Sequence, residues 1–132
     1  MKHKIVFVDD DPKVVKALKR LFTKESFEYY GFNSPRQALE QMNKIAPQVV
    51  LSDQQMPGME GIRFLEEVQE RWPNTIRMIL TGFLIPDSVQ GAISRAGILK
   101  VLNKPWNDLQ LLQQIHIAFH YFDLQRFTEI WL

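Results

Sequence analysis

The stretch QVVLSDQQMPGMEGIRFLEEVQERW, residues 48–72, decides the fold. Val49, Val50 and Leu51 form the unbroken β-branched and aliphatic run of a strand buried on both faces. The run ends at Asp53, and Met56-Pro57-Gly58 turns the chain at once. Ile62, Leu65, Val68 and Trp72 then recur at helical spacing until Pro73 stops them. The unit is strand, turn, helix. A carboxylate between a buried strand and a sharp turn is either a turn-former or a reagent.

The same unit repeats outward in both directions. KIVFV (4–8) reads as a strand, and Asp11-Pro12 opens a helix as N-cap acid and first-turn proline, with Val14, Val15, Leu18, Leu21 and Phe22 on its face. FEYYGF (27–32) is a second strand, and Ser34-Pro35 starts a second helix carrying Ala38, Leu39, Met42 and Ile45. QVVLSD (48–53) is the third strand and residues 60–72 the third helix. TIRMILT (75–81) is the fourth strand, followed over 86–97 by a weaker helix that Gly91 interrupts and Gly97 ends. ILKVLN (98–103) is the fifth strand, and one long apolar helix runs from 106 to about 130. Five alternating pairs predict an α/β domain with a doubly wound parallel sheet, order 2-1-3-4-5 (flavodoxin-like), and an extended C-terminal helix. In that order the first and third strands are neighbours at the topological switch point, where ligands sit beyond the carboxyl ends of the strands.

Composition narrows the function. The 132 residues suit one domain, and 16 basic against 15 acidic side chains give no general nucleic-acid or membrane footprint. Cysteine is absent, which excludes disulfides and thiolate metal sites. His116 and His120 are spaced to share a helix face, but no third ligand accompanies them. The apolar part of MKHKIVFVDDD is too short for a signal-peptide core, and no stretch is long enough to span a membrane. A cytoplasmic protein with no direct nucleic-acid contact is expected.

Polar residues stand at four of the five strand ends. The first strand delivers Asp9-Asp10-Asp11, the third Asp53, the fourth Thr81-Gly82 and the fifth Asn103-Lys104-Pro105. Singly, each has an ordinary explanation: Asp11 caps a helix, Asp53 starts a turn, Thr81 suits a strand, and Lys104 is a surface lysine. Jointly they do not, because turns do not ask for clustered carboxylates with a hydroxyl and an ammonium at one edge. Asp9, Asp10 and Asp53 brought close would repel, and a divalent cation removes the conflict. Oxygen-only ligands point to Mg²⁺, with Mn²⁺ able to substitute. A hard cation, a fixed lysine and a carboxylate nucleophile are the parts of phosphoryl transfer to an aspartate.

These residues resemble the receiver domain of two-component response regulators over roughly residues 3–120. The resemblance rests on VDDD (8–11), LSDQQMPGMEG (51–61), ILTG (79–82) and NKPW (103–106), four segments in the family's order and at its approximate separations. It implies that Asp53 accepts a phosphoryl group from a sensor histidine kinase or phosphotransfer protein. Asp10, Asp53 and the backbone carbonyl of Gln55 would ligate Mg²⁺ directly, with Asp9 acting through water. Thr81 would hydrogen-bond the transferred group, Lys104 would pair with Asp53 or its phosphate, and the small Gly82 would leave room for access. Gln54, Gln55 and Phe83 would surround the entrance and tune dephosphorylation. Signalling would proceed by repacking the face of the fourth helix and fifth strand, although Val101 stands where many members carry an aromatic switch. The resemblance implies a signalling domain rather than an enzyme, limited to its own phosphorylation and dephosphorylation.

Two other functions remain open on the residues. A haloacid-dehalogenase-type phosphatase would use Asp9 and Asp11 as its Asp-x-Asp pair, but it leaves Asp53 without a role. A receiver fold kept only as a scaffold would not need the acids, threonine and lysine together. The last helix carries the stripe Leu109, Leu112, Ile115, Phe119 and Phe122, with Leu111, Ile117, Tyr121 and Leu124 off it. Residues 1–120 are expected to form the receiver. Residues 121–132 are expected to extend its helix as a homodimer contact or a connection to a downstream output domain, the chain being an excised N-terminal module.

Overall fold

The computed structural model describes residues 2–131, with side chains described to residue 126. Strands β1 (Lys4–Val8), β2 (Glu28–Phe32), β3 (Val49–Ser52), β4 (Ile76–Thr81) and β5 (Ile98–Asn103) alternate with helices α1 (Pro12–Phe22), α2 (Pro35–Ile45), α3 (Gly61–Arg71), α4 (Gln90–Arg95) and α5 (Asp108–Trp131). All pairings are parallel, and the order is β2-β1-β3-β4-β5, as the alternation requires.

The apolar runs are continuous because both faces of the sheet are covered. Ile5, Phe7, Val49, Leu51, Met78 and Leu80 point to the side packed by α1 and α5. Val6, Val8, Val50 and Ile79 point to the side packed by α2 and α3. Each fully buried side chain of this size contributes roughly 1.5–3 kcal/mol relative to exposure. The helix starts follow the capping residues: the Asp11 carboxylate accepts from Lys13 N at 2.9 Å, and Ser34 Oγ accepts from Gln37 N at 3.2 Å.

Two expectations need correction. Gly91 does not interrupt the fourth helix; it lies inside α4, and the irregularity is a 3-10 turn at Asp87–Val89 just before it. Neither piece buries a residue. Gly97 does end the helix, in a left-handed conformation at φ +61°. On α5 the inward stripe is Leu111, Ile115, Ala118 and Phe119, while Leu109 is 67% exposed. A helix apolar on most sides offers several stripes, and packing against the sheet chose another one. Ile117, Tyr121 and Leu124 are exposed, as expected for residues off the core. The side chains of Phe127 to Leu132, in which the helix extension was expected to continue, lie outside the described residues.

Arg77 sits within β4 between apolar neighbours and is 8% exposed. It donates to the carbonyls of Ala96, Gly97, Thr75 and Pro73. Burial lowers its pKa, and these carbonyls, two of them at the end of α4, hold the charge in place.

Candidate functional site

Strand register builds the site. Val8 pairs with Ser52 across β1 and β3, so Asp9 and Asp53 leave adjacent strand ends side by side, with Asp53 N donating to Val8 O at 2.9 Å. Thr81 pairs with Asn103 across β4 and β5, and Lys104 N donates to Thr81 O at 2.9 Å. The four polar strand ends therefore converge on one rim.

Carboxylate oxygens of Asp9, Asp10 and Asp53 lie within 4.8 Å of one another, the one such acidic or histidine cluster among the described residues. Asp9 is 3% exposed and Asp53 6%, while Asp10 faces solvent. Lys104 reaches between the two buried acids, with Nζ 2.5 Å from Asp9 Oδ2 and 3.4 Å from Asp53 Oδ1. One ammonium against three carboxylates leaves an excess of negative charge. Burial first, and then the charge of Asp9, raise the Asp53 pKa; Lys104 and the Gln54 N–H pull it back down. The donor set is all oxygen, partly open to water and net negative, which fits a hard divalent cation. The Gln55 carbonyl accepts no hydrogen bond among the described residues, so it too is available as an oxygen donor.

Most expected side chains come together, but with altered partners. Lys104 engages Asp9 more closely than Asp53. Asp9 is also tied to the backbone, its Oδ1 accepting from Asp11 N at 2.9 Å. Asn33 steadies the same residue by donating to Asp9 O at 3.2 Å. Thr81 is buried, and its Oγ1 accepts from Phe83 N at 3.3 Å. Gln54 does not open onto the entrance: its Oε1 accepts from Ile62 N at 2.9 Å and binds the start of α3. Gln55 and Phe83 are exposed. His116 pairs with Glu25 at 3.2 Å rather than joining His120 in a metal site. The Lys104–Asp9 contact was missed because a motif names residues and not which acid the lysine reaches. Asn33 carries no sequence signal that separates it from a surface amide, and the place of Gln54 in its motif does not reveal its bond to Ile62.

The response regulator receiver domain profile matches residues 5–116. The chain belongs to that family. Among curated relatives, this receiver domain is 32% identical over 125 residues to the hydrogenase transcriptional regulatory protein HoxA of Bradyrhizobium diazoefficiens, covering 95% of this chain and 26% of that protein. It is 33% identical over 122 residues to the transcriptional regulatory protein GlrR of Escherichia coli, covering 89% of this chain and 27% of the relative. The chain thus spans about a quarter of the length of these relatives. Among solved structures, the adenylate cyclase from Rhodopirellula baltica superposes with TM-score 0.89 at 28% identity, covering 98% of this chain and 96% of that one. The signal receiver domain of an HD domain-containing protein from Pseudomonas fluorescens gives TM-score 0.88 at 25% identity, covering 93% and 98%. Receiver domains serve two-component signalling, and no described helix of this one is long and apolar enough to cross a membrane.

Proposed function

We propose that this receiver domain is a Mg²⁺-dependent switch that takes a phosphoryl group onto Asp53 from the phosphohistidine of a sensor kinase or phosphotransfer protein. The observation that carries this is the Asp9–Asp10–Asp53 cluster with Lys104 reaching both buried acids. A carboxylate oxygen of Asp53 attacks phosphorus, the new P–O bond forms, and the P–N bond breaks. The electron pair leaves with the donor imidazole, which takes up a proton from solvent. Lys104 shifts from the acids toward the added charge, and the Thr81 hydroxyl donates to a phosphoryl oxygen. Asp10, Asp53 and the Gln55 carbonyl would hold Mg²⁺, with Asp9 bound through water. The ion supplies charge neutralisation on the phosphoryl oxygens when bound.

Signalling follows from repacking of α4 against β5. Val89, Ala92, Ile93 and Val101 are only partly buried where they pack against the apolar cluster on that face, and α4 fully buries no residue, so little holds it against displacement. The transcriptional regulatory roles of HoxA and GlrR support a place for residues 1–120 as the receiver of a longer transcriptional regulator. The outer face of α5, with Ile117 and Tyr121, then leads toward an output domain or a second copy.

Acetyl phosphate with Mg²⁺ tests the chemistry. Mass spectrometry should find an acid-stable, base-labile phosphoryl group on the peptide carrying Asp53, lost with EDTA or in Asp53→Asn. Label on Asp9 would favour the phosphatase alternative, and no label would favour the scaffold.

A further inference from the structure

Glu60 opens α3 without a side-chain hydrogen bond to the helix, yet the first N–H groups of a helix need acceptors. Gln54 supplies two of them. Its backbone carbonyl accepts from Gly61 N at 2.8 Å, and its side-chain Oε1 accepts from Ile62 N at 2.9 Å. Its own N–H donates to Asp53 Oδ1 at 2.8 Å. Gly61 presses the same contact from the helix side: a Cβ there would lie 2.0 Å from the Asp53 carbonyl oxygen. One residue therefore bonds both the acceptor carboxylate and the first turn of α3, and it closes residues 54–61 into a loop whose ends touch. Met56 is buried within that loop, and Gln55 follows directly on the clasp.

We propose that Gln54 is a positioning residue. It takes over the capping that Glu60 does not provide, holds the 54–61 loop closed, and thereby fixes Asp53 and the Gln55 carbonyl where a hard divalent cation is bound. The inference rests on the Mg²⁺-dependent reading above. Glutamine suits the task because its amide oxygen reaches Ile62 N without adding a charge beside three carboxylates. The methionine side chain has similar length and volume but no comparable acceptor.

The test combines amide exchange at Ile62, followed by NMR, with calorimetric titration of Mg²⁺ alone. In Gln54→Met, Ile62 should exchange at least about tenfold faster as its bond is lost. Mg²⁺ should bind about tenfold more weakly, the lower end of the loss seen when outer partners of a metal site are removed. Gln54→Glu keeps an oxygen in reach and should retain Ile62 protection, and with its added negative charge should bind Mg²⁺ no more weakly than the wild type. Arg63→Gly loosens α3 from its exposed face without touching Gln54, and should bind Mg²⁺ as the wild type does. Unchanged Mg²⁺ affinity in Gln54→Met would overturn the proposal. Equal weakening in Gln54→Met and Arg63→Gly would also overturn it, because the role would then be general helix stability. Failure of the wild type to bind Mg²⁺ would instead sink the functional reading on which it rests.

Discussion

The two connections that leave neighbouring strands at the site are built to opposite specifications. After β3, the chain is tied down at once: Gln54 bonds forward to α3, Met56 is buried, and α3 buries Gly61, Ile62, Phe64, Leu65 and Val68. After β4, Phe83 is 57% exposed and Leu84 97%, and neither the 3-10 turn nor α4 buries a residue. The far end of α4 is held by Arg77, which donates to the carbonyls of Ala96 and Gly97. Asp53 belongs to the first connection and Thr81 to the second. The carboxylate proposed to react thus stands on a rigid mount, while the hydroxyl proposed to sense the product begins a segment with little to resist movement.

The glycines put the largest number on this contrast. Gly61→Ala drives a Cβ to 2.0 Å from the Asp53 carbonyl oxygen, and backbone cannot give way there. Denaturant unfolding should show a loss of about 3 kcal/mol, the upper end for overpacking. At Gly82 the nearest atom to a new Cβ is Lys104 Cβ at 3.8 Å, so Gly82→Ala should stay within about 0.5 kcal/mol of wild type. Equal costs at the two positions would break the comparison.

Arg77→Met comes next. It strips four carbonyls of a charged donor, for an expected loss of about 2 kcal/mol. Amide exchange should rise over the end of α4 and at Gly97 while α3 stays protected. If α3 loosened as much as α4, Arg77 would not be a local anchor.

The smallest effect concerns Asp53 in the absence of Mg²⁺. Its folded pKa is raised above the ordinary 3.8, so the folded protein holds this proton more tightly than the unfolded chain does. Stability from this group is therefore greatest at low pH and is lost as pH rises from about the ordinary value through the folded one. Asp53→Asn should melt a little higher than wild type at pH 7 in EDTA and lose that advantage in acid. Saturating Mg²⁺ should narrow or reverse the order, because the cation stabilises only the intact cluster. A wild type that melts higher than Asp53→Asn at pH 7 in EDTA would contradict the crowding of charge described here.

The difference between the two connections also marks what was legible in the sequence. Strand runs such as Val49–Leu51 and the openings at Asp11-Pro12 and Ser34-Pro35 carry local signals, and the structure follows them closely. The site residues were legible because parallel strands carry their ends to one rim, so Asp9, Asp53, Thr81 and Lys104 could be placed together from topology. What escaped depended on tertiary choice. Leu111 rather than Leu109 faces the sheet because the apolar surface of α5 is broad enough for either. Lys104 lies nearer Asp9 than Asp53 by about the width of a side-chain adjustment, which no spacing encodes. The role proposed for Gln54 follows from a helix start seven positions downstream that lacks its own side-chain cap.

The most direct test compares amide exchange of the Mg²⁺-loaded protein with and without beryllofluoride, a mimic of the phosphorylated aspartate. Changes should concentrate from Thr81 through α4 to β5, while the amides of Gly61 and Ile62 keep their protection. Changes concentrated at the first turn of α3, with residues 83–95 unaltered, would contradict the account.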